Sequence, residues 1–198
     1  MFFYLILAYI IGSVPFSFIF PYFLTGKDVR KYGSKNVGTS NAVYTTNMKV
    51  GILCLIGDFS KGYIVYYLFD QILKADNIYV SLASLMVIIG HNWSIFLKFK
   101  GGKGIATLWG VLMAYNPVVG LLFAGISATI TFITKYIALG NIMSLFIIMI
   151  LSYFKMFNMN PLLLTFMFLI ILPKHIENLV RIAKGTEIKV TERLDDNK

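Results

Sequence analysis

Few residues of this chain can bind a metal or form a disulfide. Its 198 residues include one cysteine, two histidines and nine acidic residues. A single cysteine, Cys54, excludes a disulfide framework and a thiolate metal site. The two histidines, His91 and His175, stand far apart in the sequence, so the spacing of a three-ligand zinc site is absent as well. Any metal chemistry would therefore need the nine carboxylates as ligands.

Charged side chains are also scarce, whereas apolar ones are abundant. Charged residues account for 14% of the chain and hydrophobic residues for 58%, without counting the 16 glycines. Soluble domains contain roughly 25% charged and about 45–50% apolar residues with glycine included. A soluble domain of this length could not bury so much apolar surface, and a disordered chain would be far less hydrophobic. These proportions predict a single, all-α, multi-pass membrane domain covering residues 1–198.

The apolar segments give the number of crossings. A helix that spans a bilayer needs about 20 residues. Pro117 is expected to divide the long apolar segment 105–134 into two helices. We expect about seven transmembrane helices, of which 105–115 and 161–173 are short; five full spans with re-entrant short pieces is the alternative. The seven segments are 2–24, 50–69, 78–97, 105–115, 117–134, 137–154 and 161–173.

Lysine and arginine residues orient these helices. If the spans alternate, fifteen of the 18 cationic residues, from Lys27 to Lys198, fall on one side of the membrane. Lys74 and Lys155 fall on the other side, and Lys61 lies within a span. Cytoplasmic loops carry such an excess. We expect the N-terminus outside and the C-terminus in the cytoplasm, and the net charge of +9 then needs no nucleic acid partner.

Loop one, defined as residues 27–41, combines glycines, hydroxyl groups and cations. Backbone N–H groups that a ligand can approach closely, hydroxyl donors and positive charge are what an anion such as phosphate binds. An ordinary solvated loop with positive-inside lysines is the alternative. The candidate residues are Gly33, Ser34, Asn36, Gly38, Thr39 and Asn41.

The glycine loop, defined as residues 100–104, reads Lys100-Gly101-Gly102-Lys103-Gly104 and precedes a predicted helix. Glycine-rich backbone at a helix N-terminus, with lysines nearby, is typical of phosphate binding. It is not a Walker A loop, because Gly104 rather than Ser or Thr follows the lysine. A nucleotide is therefore not implied, and a flexible turn with snorkelling lysines is the alternative.

Two charged residues lie inside a predicted span. Asp58 and Lys61 are three residues apart, so they share one face of a helix. Charges within a membrane are costly and face the protein interior or a polar cavity. The pair either takes part in function or simply neutralises itself.

A third polar segment lies near the C-terminus. Apolar residues at helical spacing from Ile176 to Ala183 predict an amphipathic helix that continues the last span. His175 and Asn178 then share a face, and Glu177 can pair with Arg181. An interfacial helix lying on the membrane is the alternative.

All of this concentrated polar chemistry lies on one membrane face. Two loops of glycines and cations fit two anionic groups, and the apolar helices beside them fit an acyl chain. The residues alone thus predict a membrane enzyme that joins a fatty acyl donor to a phosphorylated head group. A transporter or scramblase of phosphorylated lipids is an alternative, although it would place its polar residues near the midplane, where only Asp58 and Lys61 qualify.

Five stretches of the chain resemble the bacterial acyl-phosphate:glycerol-3-phosphate acyltransferase family, in the same order and spacing. They are Gly12–Phe16, Asp28–Asn41, Asp58–Gly62, Gly90–Thr107 and His175–Glu187, and the phrase Phe99-Lys100-Gly101-Gly102-Lys103-Gly104 is highly specific. The resemblance implies an enzyme of the cytoplasmic membrane, expected as a monomer. It would make lysophosphatidate from acyl phosphate and glycerol 3-phosphate without metal, nucleotide or coenzyme A.

The resemblance also implies roles for individual residues. Loop one would hold the acyl phosphate, the glycine loop would cradle the phosphate of glycerol 3-phosphate, and the C-terminal segment would line the acceptor site, with Glu177 and Arg181 holding that segment. The general base would be a histidine or a substrate phosphate, and we favour the substrate. The catalytic candidates are Ser34, Asn36, His91 and His175. The substrate-binding candidates are Gly33, Gly38, Thr39, Asn41, Lys61, Lys100, Gly101, Gly102, Lys103, Gly104 and Asn178.

Several residues depart from the family pattern. Tyr44 stands where the family usually has an arginine that is expected to meet phosphate, and a tyrosine cannot supply a bidentate charged pair. Lys35 replaces a usual glycine and returns a positive charge nearby. Ala138 lies in a segment that lacks the usual serines. A divergent or inactive paralogue is therefore the first alternative to an active acyltransferase.

Overall fold

The structure, a computed structural model, describes residues 1–195, and this part of the chain is built from helices without any β-strand. The predicted all-helical fold is thereby confirmed. Lys198, which the charge count includes, lies outside the described residues. The helices are α1 (Phe2–Ser13), α2 (Phe16–Thr25), α3 (Thr39–Thr45), α4 (Met48–Tyr67), α5 (Asn77–Asn92), α6 (Ile105–Tyr115), α7 (Pro117–Thr134), α8 (Ile137–Tyr153), α9 (Pro161–Ile171), α10 (Ile176–Ala183) and α11 (Val190–Asp195).

Five helical segments of the described chain are long and apolar enough to cross a membrane: Phe2–Thr25, Met48–Ile72, Asn77–Leu97, Pro117–Thr134 and Pro161–Ala183. Two shorter apolar helices, Ile105–Tyr115 and Ile137–Tyr153, accompany them. The apolar helix α9 is short, and it continues as predicted into the amphipathic stretch, because a 3-10 turn at Leu172–His175 joins α9 to α10. The count of seven crossings and the orientation of the termini stay predictions.

The helices form two compact units, of which the first covers Met1–Ala114 and the second begins at Tyr115. The boundary falls at the predicted break before Pro117. Asn116 caps α7 there, since its side chain accepts a hydrogen bond from Val118 N, and Pro117 occupies the first turn, where its missing N–H costs nothing.

In the first unit, glycines let helix backbones approach closely. A Cβ on Gly12 of α1 would collide with Val87 O of α5, and one on Gly90 of α5 would collide with Tyr9 O of α1. Gly62 of α4 has the same relation to Thr107 O of α6. Small residues allow such close packing of helices in membranes, and here it fixes α5 and α6, the two helices that flank the glycine loop.

The predicted first span, 2–24, is interrupted at Val14 and Pro15, which separate α1 from α2. Proline cannot donate a backbone hydrogen bond, so the interruption frees backbone carbonyl groups. Val14 O accepts a hydrogen bond of 2.9 Å from Lys61 Nζ on α4. The break therefore belongs to a tertiary contact between the first span and α4.

An apolar cluster attaches loop one to this unit. Six buried side chains form it, with Phe18 and Phe20 of α2 packed against them. Two of the six, Val29 and Val37, belong to loop one, and Leu97 belongs to the 3-10 turn Ile95–Leu97 that leads to the glycine loop. The full set is Val29, Val37, Ala42, Val50, Cys54 and Leu97.

In the second unit, α7 and α8 form a helical hairpin. Lys135 ends α7 in the left-handed conformation, with φ of 65°. The two helices are joined by a hydrogen bond of 2.8 Å from Ser127 Oγ to Asn141 Oδ1. Lys135 O also accepts from Val190 N at 3.0 Å, which fastens the start of α11 to this hairpin.

Candidate functional site

Loop one is organised around the side chain of Asn41, which is only 2% exposed. Its Nδ2 donates to Val29 O at 2.8 Å, to Asn36 O at 3.0 Å and to Tyr32 O at 3.2 Å. Its Oδ1 accepts from Ser34 N at 3.0 Å. Asn41 was predicted to bind substrate, but its polar atoms are used inside the loop, so it sets the shape of loop one.

The other candidates of loop one surround this amide. Gly33 has φ of 55°, and a Cβ there would collide with Asn41 Oδ1. Ser34 is exposed, and Asn36 is half-buried. Thr39 follows Gly38, the N-cap residue of α3, and Thr39 Oγ1 is buried with no hydrogen-bond partner among residues 1–195. Hydroxyl and amide groups thus lie along one short stretch of ordered backbone.

Asp28 and Arg30 form an ion pair at the start of loop one. The Asp28 carboxylate accepts from Arg30 N at 3.0 Å and from the guanidinium at 2.9 Å through both oxygens. This contact with Arg30 holds the pKa of the Asp28 carboxyl below its usual range. Arg30 also lies over the ring of Phe18, 4.5 Å from its centroid. The pair ties the 3-10 turn Val29–Lys31 to α2.

The glycine loop lies against the end of α5 and against loop one. Gly102 N donates to His91 O at 3.0 Å, and a Cβ on Gly102 would collide with both His91 Nε2 and Val37 O. Gly104 has φ of 81°, and Leu108 N donates to Gly104 O at 2.7 Å, which begins α6. The prediction that a helix starts directly after the glycines is confirmed. Because Val37 belongs to loop one, the structure brings the two loops together.

The remaining residues of the glycine loop differ in exposure. Lys100 is exposed, whereas Gly101 and Lys103 are half-buried. A Cβ on Gly101 would collide with His91 O. The close approach of the loop backbone to α5 explains why glycines stand at positions 101 and 102.

Asp58 and Lys61 form an ion pair inside the first unit. Lys61 Nζ lies 2.9 Å from Asp58 Oδ1, and the two side chains are 2% and 1% exposed, respectively. Ser17 Oγ donates to Asp58 Oδ2 at 2.5 Å. Lys61 was predicted to bind substrate; its ammonium group is held by Asp58 and by Val14 O.

Two buried hydroxyl groups of this region were not predicted. Ser17 and Thr107 are both fully buried, and Thr107 Oγ1 donates to Asp58 O at 3.0 Å and lies 3.2 Å from His91 Nδ1. A single serine or threonine in an apolar helix carries little signal in a sequence. Their partners lie on other helices, so only the fold reveals them.

The C-terminal polar segment lies in the second unit. His175 is buried, with Nδ1 at 3.1 Å from Ile171 O. Asn178 Nδ2 donates to Glu187 Oε1 at 2.8 Å, and Arg181 Nε donates to Glu187 Oε2 at 2.7 Å. The helix predicted over 176–183 is confirmed as α10, with His175 and Asn178 both buried.

Two acidic residues contact Arg181 of this segment, the predicted Glu177 and also Glu187. Glu177 is 91% exposed, and its Oε2 lies 3.9 Å from Arg181 NH1. Glu187 is 6% exposed and binds both Arg181 and Asn178. The chain turns back after Gly185 and brings position 187 to α10, so Glu187 adds contacts that the sequence did not predict, while the structural role of Glu177 stays a prediction.

Together these contacts define a class of protein. Apolar helices carry polar loops whose backbone N–H groups, hydroxyls and lysines suit an anionic ligand, as in a membrane enzyme of phosphorylated lipids. Within residues 1–195 no group of three or more His, Cys, Asp or Glu side chains is placed to hold a metal ion.

Comparison with known proteins gives the particular family. The family model of glycerol-3-phosphate acyltransferase matches residues 2–185, and the chain belongs to this family. A glycerol-3-phosphate acyltransferase of Thermotoga petrophila is 41% identical over 186 residues, covering 93% of this chain and 94% of the relative. One from Wolbachia pipientis subsp. Culex pipiens is 35% identical over 185 residues, covering 93% and 96%.

Solved structures agree with this family. The crystal structure of PlsY (YgiH), an integral membrane glycerol 3-phosphate acyltransferase, in its glycerol 3-phosphate form superposes with a TM-score of 0.88 at 30% identity, covering 95% of this chain and 94% of that chain. Its lysophosphatidic acid form gives a TM-score of 0.86 at 28% identity, covering 98% and 97%. The chain is therefore similar throughout its length to an integral membrane acyltransferase.

Proposed function

We propose that this protein transfers a fatty acyl group from acyl phosphate to glycerol 3-phosphate, giving lysophosphatidate (1-acyl-glycerol 3-phosphate) and phosphate for phospholipid synthesis. The observation that carries the proposal is the contact between loop one and the glycine loop at Val37 and Gly102. Two loops that each suit a phosphate group lie side by side, as a donor and an acceptor that both carry phosphate require. The solved relatives, named for their glycerol 3-phosphate and lysophosphatidic acid forms, support the same acceptor and product.

In the proposed reaction, loop one binds the donor. An acyl phosphate is a mixed anhydride, so its carbonyl carbon is already activated. The acceptor hydroxyl oxygen forms a bond to that carbon, the bond to the phosphate oxygen breaks, and phosphate leaves with the electron pair. Ser34 and Asn36 supply hydrogen-bond donors to the donor phosphate and to the charge that develops on the carbonyl oxygen. Gly33, Gly38 and Thr39 present backbone and hydroxyl groups to the same ligand.

The glycine loop binds the acceptor in this proposal. Gly101, Gly102 and Gly104 let the phosphate of glycerol 3-phosphate approach the backbone at the N-terminus of α6, where backbone N–H groups and the helix dipole favour an anion. Lys100 and Lys103 add positive charge. Holding both substrates in this way lowers the barrier by orientation.

We propose that His175 and Asn178 are the substrate-contacting residues of the second unit, with Arg181 holding their segment through Glu187. The proton of the attacking hydroxyl passes to a phosphate oxygen of a substrate rather than to a histidine. His91 supports this assignment, because its ring is buried between Thr107 and Gly102.

In this proposal the loops face the cytoplasm from a bacterial membrane and the protein acts as a monomer; the excess of lysine and arginine on the side of the loops supports that orientation. Acyl donor and glycerol 3-phosphate would then reach the site from the side on which they are made. The bilayer would hold the acyl chain of the donor and of the product.

Purified protein in a lipid bilayer tests the proposal. Acyl phosphates of several chain lengths and radiolabelled glycerol 3-phosphate, without added metal, should yield extractable lysophosphatidate. Gly102→Ala should abolish most of the product, because the added Cβ collides with His91 Nε2 and Val37 O. Gly125→Ala is the matched control, since a Cβ there meets nothing within 4 Å.

Folded wild-type protein that makes no product at any acyl chain length would overturn the proposal and favour a divergent paralogue, to which Tyr44 and Ala138 already point. Movement of lipid without a new ester, with greater sensitivity at Asp58 and Lys61 than at Gly101 and Gly102, would favour a transporter instead.

A further inference from the structure

A buried polar cluster lies beneath the glycine loop, and the proposed reaction gives its acidic member no role. Four elements of the first unit contribute to it: α2, α4, α5 and α6. Each of its side chains is at most 7% exposed. The cluster consists of Ser17, Asp58, Lys61, His91 and Thr107.

The carboxylate of Asp58 is held from two sides. Lys61 Nζ lies 2.9 Å from Oδ1, and Ser17 Oγ donates to Oδ2. Replacing a buried ion pair with apolar residues often leaves stability unchanged or raises it. Protein stability alone therefore does not explain why the Asp58–Lys61 pair is present. The other contacts of Asp58 are more informative about its role.

One further contact is with the ring of His91. Nδ1 lies 3.6 Å from Asp58 Oδ1 and 3.2 Å from Thr107 Oγ1. Thr107 Oγ1 uses its own proton to donate to Asp58 O, so the proton between Thr107 and His91 must come from Nδ1. The network thus assigns a proton to Nδ1 and fixes the rotation of the ring.

The opposite edge of His91 supports the glycine loop. Nε2 lies beside Gly102, so close that a Cβ on this residue would collide with it. The backbone of the same histidine accepts the hydrogen bond from Gly102 N at 3.0 Å. Ring and backbone together determine where Gly102 lies.

We propose that Asp58 is a positioning residue for acceptor binding: with Thr107 it orients His91, and His91 holds Gly102 where the phosphate of glycerol 3-phosphate binds. The inference rests on the proposed function of the glycine loop. Asp58 itself touches neither substrate. Its loss should weaken binding of the acceptor while the donor, held by loop one, is bound as before.

Thr107→Val is the main test, because it removes the hydroxyl group and keeps the shape and charge of the cluster. We expect the KM for glycerol 3-phosphate to rise about fivefold to tenfold, as the loss of the hydrogen bond that orients His91 implies. The kcat and the KM for acyl phosphate should stay within about twofold, since they do not depend on the glycine loop in this scheme. Thr107→Ser keeps the hydroxyl and should restore the KM.

Thr129→Val is the matched control, because the hydrogen bond that Thr129 Oγ1 makes within residues 1–195 goes to the carbonyl of Gly125 in its own helix. Asp58→Asn should produce the same selective rise in KM, with Asp70→Asn, whose carboxylate lies beside Gln71, as its control. Since Asp58→Asn leaves Lys61 without its counter-ion, its folding must be checked by thermal unfolding. Thr107→Val keeps the test decisive if that variant fails to fold.

The outcomes separate this inference from the function on which it rests. An active wild type whose KM for glycerol 3-phosphate is unchanged by Thr107→Val would overturn the inference alone. A fall in kcat together with a similar rise in both KM values would also overturn it, because that pattern indicates general damage to the protein. A folded wild type without transferase activity would overturn the proposed function and the inference with it.

Discussion

At the scale of single residues, Asn41 shows how one amide can determine the shape of a binding loop. Its side chain satisfies carbonyl groups of Val29, Tyr32 and Asn36 and the N–H of Ser34. An arginine or lysine at this position could donate to the carbonyls but could not accept from Ser34. The side chain must therefore both donate and accept, which explains an asparagine.

We expect Asn41→Ala to destabilise the protein and to abolish acyl transfer. Each buried polar group left without a partner costs about 1–3 kcal/mol, and this variant strands several at once. Asn160→Ala is the control: the Asn160 side chain caps α9 by accepting from Leu162 N, and loss of such a cap costs about 1 kcal/mol. Thermal unfolding in detergent compares the two, and equal losses would contradict the organising role of Asn41.

The Asp28–Arg30 pair predicts a small dependence of stability on pH. Arg30 lowers the pKa of the Asp28 carboxyl in the folded state. A lowered folded pKa stabilises the protein above the unfolded value of about 3.9, and this contribution disappears as pH falls through the folded pKa. Asp28→Asn should cost about 0.5–1 kcal/mol at pH 7.

The cost of Asp28→Asn should shrink as pH falls below about 3.9. Unfolding measured at pH 7, 5 and 3 checks this, with Asp76→Asn as control because Asp76 caps α5 without a side-chain hydrogen bond. A cost that stays constant down to pH 3 would rule out the ion pair as its source.

At the scale of helices, α10 depends on an acidic residue that lies beyond its own end. Glu187 joins Asn178 and Arg181 from the turn after the helix. Glu187→Gln should lower the free energy of unfolding by about 1–3 kcal/mol and should also reduce acyl transfer. Glu177→Gln should change either quantity little, since Glu177 is exposed and its ion pair with Arg181 is worth less than about 1 kcal/mol.

The same thermal unfolding and transfer assays compare the two glutamate variants side by side. A larger effect at Glu177 than at Glu187 would contradict the greater contribution expected of Glu187. An effect of Glu187→Gln on transfer alone would mean that the residue acts on substrate rather than on the helix.

Sequence patterns predicted those elements whose causes are local. Pro117 marked the start of α7, the glycines marked the start of α6, and apolar spacing marked α10. The break at Val14 was missed, because a proline near the middle of an apolar segment can also sit inside a continuous, kinked helix. What distinguishes the two here is the hydrogen bond from Lys61 to Val14 O, and no local pattern reports such a contact.

At the scale of the whole molecule, the unequal distribution of lysine and arginine predicts which loops face the cytoplasm. Cys54 is the only cysteine and is fully buried, so the native chain should not react with a membrane-impermeant maleimide. Cysteine introduced by Lys74→Cys should react from outside intact cells, and Lys49→Cys should react only after the membrane is opened. The reverse pattern would overturn the predicted orientation.

The site, like the fold, was predicted only where its cause is local in the sequence. Composition identified loop one and the glycine loop as suited to anions, and the order of motifs identified the family. The contact of Val37 with Gly102 and the network around His91 join residues that are distant in sequence. They follow from how α4, α5 and α6 pack, which is decided by glycine contacts between helices rather than by any one segment.

The ion pair on α4 has a consequence for how the chain enters the membrane during synthesis. A charged residue at the centre of a spanning helix opposes insertion by about 2.5–3.5 kcal/mol, and α4 carries two. Two of their partners, Val14 O and Ser17 Oγ, leave the ribosome before α4 does, whereas His91 and Thr107 emerge later. The first span therefore provides hydrogen-bond partners for the charged residues of α4. We expect α4 to insert efficiently only when Phe2–Thr25 is already in the bilayer.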